Sequence, residues 1–228
     1  MKKLFLLAAM MVATLSASAQ ARFQPGTFTI QPRLGGTGSM WSNAQDMYIE
    51  GNEVEPTASG GSFIGVDVEY YLSERFSLAA GLNWAEAGCG WENYKYYVDG
   101  IKMKVEETAQ RNGYINMPLT ANWYVAKGLA LKTGIQLSFL TNAELYTLTK
   151  FKQSGVKHTL ITSDKNKDAF KTFDLAIPIG ISYEFKIPIV LDLRYNIGLL
   201  DVNKKNLFGD ESLHNMQATF TVGYKFKL

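Results

Sequence analysis

The sequence predicts an all-β fold: a closed, antiparallel, up-and-down transmembrane β-barrel of eight strands, with short periplasmic turns and long extracellular loops. Three observations carry it. At the C-terminal end Phe220, Val222, Tyr224, Phe226 and Leu228 alternate with Thr219, Thr221, Gly223, Lys225 and Lys227, the period of a strand with one apolar and one polar face. An apolar strand left as an edge invites aggregation, so this one is expected to close onto the strand around residues 28–34. The N-terminal end reads as an export signal. Between the two, short and long joins alternate strictly along the chain.

In the export signal, Lys2 and Lys3 form the charged start, residues 4–15 the apolar run, and Ala17-Ser18-Ala19 the small-residue cleavage site. The expected organisation is a signal peptide at 1–19, with cleavage after Ala19 or Ala21, and one barrel domain at 20–228. The apolar run is too short for a membrane-spanning helix of about 20 residues. The chain has 23 basic and 21 acidic residues. Loss of Lys2 and Lys3 leaves 21 against 21, with no electrostatic footing for nucleic acid. Cys89 is the only cysteine, so no internal disulfide forms, and the thiol is expected free in a loop.

Alternating segments occur at 27–39, 62–72, 75–87, 113–124, 129–141, 172–185, 189–200 and 213–228. Each is near or above the ~9–11 residues that a tilted transmembrane strand needs. The joins at 73–74, 125–128 and 186–188 are tight, and those at 40–61, 88–112, 142–171 and 201–212 are long. With both ends in the periplasm, all long joins fall on the cell surface, where specific function is expected. Pro118 and Pro178 lie inside strands, and a proline there removes a ladder hydrogen bond, so a local bulge is expected at each.

Alternation alone leaves open whether the apolar face meets lipid or lines a ligand cavity, as in a soluble lipocalin-like carrier. The polar face settles the expectation. It carries a glycine in almost every strand, at Gly35, Gly65, Gly81, Gly134, Gly180, Gly198 and Gly223, as suits a crowded lumen. It also carries charges of both signs: Arg33, Asp67, Glu69, Lys132, Asp174, Glu184, Asp192, Arg194 and Lys225. Mixed charges in a tight interior can pair across it. These nine residues are the expected lumen network, with the apolar face in lipid. Tyr70, Tyr71, Phe76, Trp123, Tyr124, Phe185, Tyr224 and Phe226 are expected as a periplasmic aromatic girdle, with Trp84 and Phe139 near the outer one.

No catalytic, metal or cofactor site is expected. His158 and His214 are the only histidines, too few for a spaced ligand set. Ser212 and His214, with Glu211 nearby, offer the best enzyme case, a lipid A-modifying barrel, but no oxyanion donor can be placed. Gly35-Gly36-Thr37-Gly38 lacks the lysine and the strand-to-helix context of a phosphate loop. Trp91, Tyr94, Tyr96 and Tyr97 are the candidate surface-binding aromatics for an extracellular glycan or protein ligand, with packing over the barrel mouth as the plainer reading. An eight-stranded lumen is filled by side chains, which argues against a general pore.

With the signal ending Ser18-Ala19-Gln20, the segment Tyr114-Ile115-Asn116-Met117-Pro118-Leu119, and the closing Val222-Gly223-Tyr224-Lys225-Phe226, the chain resembles the PorT-like outer-membrane β-barrel family of Bacteroidota, eight-stranded barrels of the OmpX/OmpA type. The resemblance covers nearly the whole mature chain through its pattern. It implies an exported bacterial outer-membrane protein in contact with outer-membrane lipid, for which the filled lumen and long loops make an envelope-structural or surface-binding role the expected one. It also implies insertion by the barrel-assembly machinery, although the final residue is Leu228, with the aromatic Phe226 two before it.

Overall fold

The computed structural model describes residues 23–49, 51–153, 155–204 and 212–228. The expected signal peptide at 1–19 lies outside the described residues. The strands are β1 (Phe28–Ser42), β2 (Met47–Ile49), β3 (Asn52–Val54), β4 (Pro56–Thr57), β5 (Ser59–Tyr71), β6 (Phe76–Trp91), β7 (Tyr94–Val98), β8 (Ile101–Ala126), β9 (Leu129–Gln153), β10 (Val156–Lys165), β11 (Phe173–Glu184), β12 (Ile189–Gly198), β13 (His214–Tyr224) and β14 (Phe226–Lys227). Among the described residues the one helical element is a 3-10 turn at Lys167–Ala169, and no helix is long and apolar enough to cross a membrane.

Eight strands form a closed antiparallel ring in the order β9-β11-β12-β13-β1-β5-β6-β8, with β8 returning to β9. Closure leaves no edge within the wall, which is what permits strands to span lipid. The terminal segment forms the seam expected of it: β13 pairs with β1 from Arg33 opposite Gly223 to Ser42 opposite His214, and β14 continues with Thr29 opposite Lys227. Along the ring, side chains alternate between a buried polar interior and an exposed apolar exterior. Leu34, Ile64, Leu82, Leu119, Ile135, Ile179, Leu193 and Phe220 stand outward, while Gln31, Arg33, Asp67, Asn116, Lys132, Asp192 and Thr221 are buried. An outward apolar band over a polar lumen is the pattern of a barrel in lipid.

The bulges fall elsewhere than at the prolines. Pro118 stays in register with Gln136 on β9, and Pro178 with Asn196 on β12. On the other side of each, the ladder skips two rungs and resumes in the same register, from Ala80–Leu119 to Asn83–Asn116 and from Ala176–Gln136 to Ile179–Thr133. The missing N–H thus omits pairing without inserting a residue. Pro32 lies in a gap of the same kind, between Ile30–Phe226 and Arg33–Gly223, which divides β13 from β14. Register shifts occur instead in the β8–β9 pair, between Val105 and Glu107, Gly113 and Tyr114, and Tyr124 and Ala126.

Two of the long joins are largely strand. β8 and β9 run 26 and 25 residues, far longer than a membrane crossing needs. Their outer halves continue with β7 and β10 into a sheet ordered β7-β8-β9-β10 beyond the rim. Val98 pairs with Ile101 across Asp99 and Gly100, whose φ angles of 48° and 77° are those of a two-residue type I′ hairpin turn. That Asp-Gly pair is the signal in the sequence that marks this hairpin.

Candidate functional site

The barrel interior is a stack of hydrogen-bonded layers. At the end carrying the tight turns, Lys225 from β14's approach meets Glu69 of β5 at 2.7 Å and also pairs with Glu184 of β11. The hydroxyl of Tyr124 donates to Glu184 at 2.7 Å and lies 2.9 Å from Glu69, and Tyr71 donates to Glu184 at 3.1 Å. Asn122 Nδ2 and the Ser77 hydroxyl also donate to Glu69. Tyr71 and Tyr124 therefore do not belong to the lipid-facing girdle. Both rings are buried, because each stands one residue off its outward neighbour, Tyr70 or Trp123, and the pleat turns it inward.

In the middle layer, Asp192 of β12 is the node. Its oxygens meet Lys132 Nζ at 2.7 Å, Arg194 Nε at 2.8 Å and Arg33 Nη1 at 3.4 Å. Asp67 accepts from Arg194 Nη2 at 2.8 Å and faces Arg33 Nη1 at 3.0 Å. Three cations surround two carboxylates here, while two carboxylates hold one cation in the layer below, so the two layers balance. A buried charge is costly unless it is paired; every charge of this layer has a partner of opposite sign, although among the described residues the Arg33 guanidinium is held by ion-pair contact alone and makes no hydrogen bond. Gly81 keeps the layer compact, because a Cβ there would meet Asp67 Oδ1 and lie 2.9 Å from Pro118 Cγ.

Toward the outer mouth the layers become neutral amides. Asn116 bonds Asn83 at 2.9 Å and Asn196 bonds Gln217 at 2.8 Å. Among the described residues no lysine or arginine pairs with Asp174; its Oδ2 accepts from Asn215 Nδ2 at 2.8 Å, and its Oδ1 from the Leu175 N–H at 2.7 Å. A cavity of about 20 Å³ lies beside it, lined by Tyr114, Asn116, Gln136 and Asn215 among others, space for one water molecule.

An apolar cap closes the mouth, a feature the sequence patterning did not reveal. Trp41, Val54, Cys89, Trp91, Tyr114, Leu140, Phe170, Val202 and Leu213 form one buried cluster. Trp41 packs edge-on to Trp91 at 6.1 Å between ring centroids, and against Phe170 at 5.6 Å. Two sequence expectations change accordingly. Cys89 is no loop thiol, since it lies in β6, fully buried. Trp91 is no surface anchor, since it is 3% exposed. The strand period continues past the rim, and β1, β6 and the segment 169–213 fold over one another there. Of the remaining aromatics, Tyr94 and Tyr96 share a face of β7 and stack at 6.0 Å, while Tyr97 points from the opposite face and is 66% exposed.

The enzyme candidate gains no geometry. The Ser212 carbonyl accepts from Asn43 Nδ2 at 3.3 Å, His214 stands opposite Ser42 at the seam, and Glu211 lies outside the described residues. Among the described residues, no group of three histidine, cysteine or acidic side chains could hold a metal ion.

A closed eight-stranded antiparallel wall with an apolar exterior and a charge-paired, packed interior defines a transmembrane β-barrel. Residues 18–204 match the outer membrane protein beta-barrel domain, and the chain belongs to that family, which places it in the bacterial outer membrane. Similar solved structures include the attachment invasion locus protein Ail of Yersinia pestis, with 10% identity, a TM-score of 0.41, and coverage of 89% of this chain and 100% of that one. Neisserial surface protein A is 14% identical with a TM-score of 0.44, covering 87% and 97%. OprG from Pseudomonas aeruginosa is 12% identical with a TM-score of 0.41, covering 89% and 97%. No curated protein matches the chain.

Proposed function

We propose that the protein is a non-enzymatic outer-membrane barrel that holds a rigid binding sheet outside the cell, exported by the signal peptide at 1–19 and inserted by the barrel-assembly machinery. In this reading it is a PorT-like barrel of Bacteroidota, with the tight turns in the periplasm and the β7–β10 sheet on the surface. The observation that carries it is the filled interior: Asp192 and Asp67 bind Lys132, Arg194 and Arg33 across the barrel, and Trp41, Trp91 and Phe170 cover the mouth. Among the described residues charge pairs fill the lumen and aromatics cover its mouth, which argues against passage through it and leaves binding to the surface beyond the rim.

Three measurements on the full-length protein test this. In planar bilayers it should give no steady conductance, and in membrane fractions it should resist alkaline washing and show a heat-modifiable gel shift. Steady conductance would replace the proposal with transport. Release on washing would replace it with a soluble carrier.

A further inference from the structure

Beyond the rim, the sheet β7-β8-β9-β10 has two unlike faces. The face turned over the mouth carries Tyr94, with buried Val105 and Thr149. The opposite face continues the outer wall of the barrel, and at its tip it is built of lysine. Lys95 stands directly opposite Lys104, and Lys104 directly opposite Lys150. In the next row, Lys102 stands opposite Tyr97 and Lys152 opposite Lys157. All six lysines are exposed. A carboxylate set among them belongs to Glu106, the extra residue at the β8 register shift, which meets Lys104 at 2.9 Å and Lys150 at 2.5 Å. Those bonds from Lys150 and Lys104 hold the Glu106 carboxyl below its ordinary pKa.

This arrangement is costly to the fold, because like charges directly opposite in a sheet destabilise it. Lysines on the edge strands β7 and β10 would serve to block pairing with another chain. That purpose does not cover Lys102, Lys104, Lys150 and Lys152, which lie on the two central strands. Nor is the whole face basic. Nearer the barrel, Arg111 pairs with Glu107 at 2.5 Å and lies over the Tyr146 ring at 4.1 Å, with Glu144 opposite Arg111. The positive excess is confined to the tip.

The position of the tip selects among anions. Phe139, on the outward apolar face of β9, is eleven residues (150 − 139) from Lys150, about 35 Å of extended strand. The headgroup layer adds only ~5–8 Å beyond the hydrocarbon, so lipid phosphates lie below the lysine rows even with strands tilted by ~45°. The exposed Tyr97 ring beside Lys102 adds an amphipathic plane against which a sugar can pack. The geometry points to a binding face for an acidic polysaccharide, a glycan chain bearing sulfate or carboxylate groups and lying across β7 to β10 on the lysine side. This rests on the proposed placement of the sheet outside the cell.

The test uses the full mature chain in lipid nanodiscs, with binding measured to immobilised dextran sulfate, polygalacturonate, uncharged dextran and duplex DNA. The expected result is binding to the acidic glycans, none to dextran, and weakening as salt rises through charge screening. The variant Lys102→Gln/Lys104→Gln/Lys152→Gln should lose at least about tenfold in affinity, since one RT-scale factor of ten is only ~1.4 kcal/mol spread over three charges. The matching arginine variant keeps the charge and should bind as the parent does. Absence of binding by the parent, DNA binding as tight as the glycans, or unchanged binding by the folded glutamine variant would overturn the inference. A heat-modifiable shift on each sample reports the barrel separately, so its loss in the parent speaks against the barrel reading and not against the ligand.

Discussion

Lys132 Nζ and Asp192 Oδ2 lie 2.7 Å apart, joining β9 to β12 behind the intervening β11. Asp192 also meets Arg194 and Arg33, so one carboxylate neutralises much of the middle layer. Replacing Asp192 with Asn leaves Arg33, Lys132 and Arg194 with Asp67 as the carboxylate of that layer. Breaking a buried ion pair costs about 3–5 kcal/mol, and urea unfolding in micelles should show a loss of that size. Adding Lys132→Met restores a single excess cation, so the double variant should recover part of the loss. Full additivity of the two losses would show that the pair is uncoupled.

Ile135 is on the outward face of β9, 49% exposed, between Leu131 and Phe139. Ile135→Arg should cost about 2–4 kcal/mol for a charge near the bilayer midplane. Tyr97→Arg, beyond the rim, should leave stability within about 0.5 kcal/mol. Unfolding in lipid vesicles compares the two, and equal effects would place Ile135 outside the bilayer.

Gly81 faces the lumen with no room for a side chain, since a Cβ would meet Asp67 Oδ1 and Pro118 Cγ. We expect Gly81→Val to cost about 1–3 kcal/mol by overpacking. Gly60, where a Cβ has nothing within 4 Å, should accept alanine with little change. Folding yields and unfolding midpoints in detergent report both.

Asp201 sits at the outer rim and accepts the N–H groups of Asn203 and Leu213 at 3.0 Å each. Lys171 Nζ is 2.5 Å away. Burial acts to raise its pKa, but the bonds from Lys171 and the two N–H groups outweigh that and hold it below the ordinary value. A carboxyl depressed in the folded state stabilises it fully above the unfolded pKa of about 4 and ceases to do so as pH falls through the lower folded value. Hydrogen exchange at the Leu213 amide, referenced to Thr219 within β13, should therefore speed up in that acid window. In Asp201→Asn the ratio should be flat with pH.

The wall of the barrel was legible because it depends on local periodicity. Ile64, Val66 and Val68 against Gly65, Asp67 and Glu69 state the two faces of β5 without reference to any neighbour. The same alternation puts Arg33, Asp67, Glu69, Lys132, Glu184, Asp192, Arg194 and Lys225 on the buried face. Their partners were not legible, because nothing near Asp192 in the chain identifies Lys132, 60 positions away, as its mate. The bulges expected at Pro118 and Pro178 assumed that a lost donor must be relieved by an extra residue, whereas closure holds the neighbouring strands in register across the gap.

Beyond the rim the sequence was less informative, since strand, loop and cap there share one composition of aromatics, lysines and glycines. Trp91 and Tyr97 look equivalent as loop aromatics, yet one lies in the mouth cluster and the other faces solvent. Their difference follows from which face of β6 or β7 each occupies and from what folds over it. The lysines behave in the same way. Spread over residues 95–157, they read as solvated charges, and only the pairing of β7 with β8, β8 with β9 and β9 with β10 places them in adjacent rows. The sequence by itself determined the crossing strands and the face each turns to lipid, because alternation and burial act residue by residue. The tertiary structure alone decided which charges meet, which aromatics close the mouth and where lysine faces lysine, because those contacts join residues that only ring closure and register bring together.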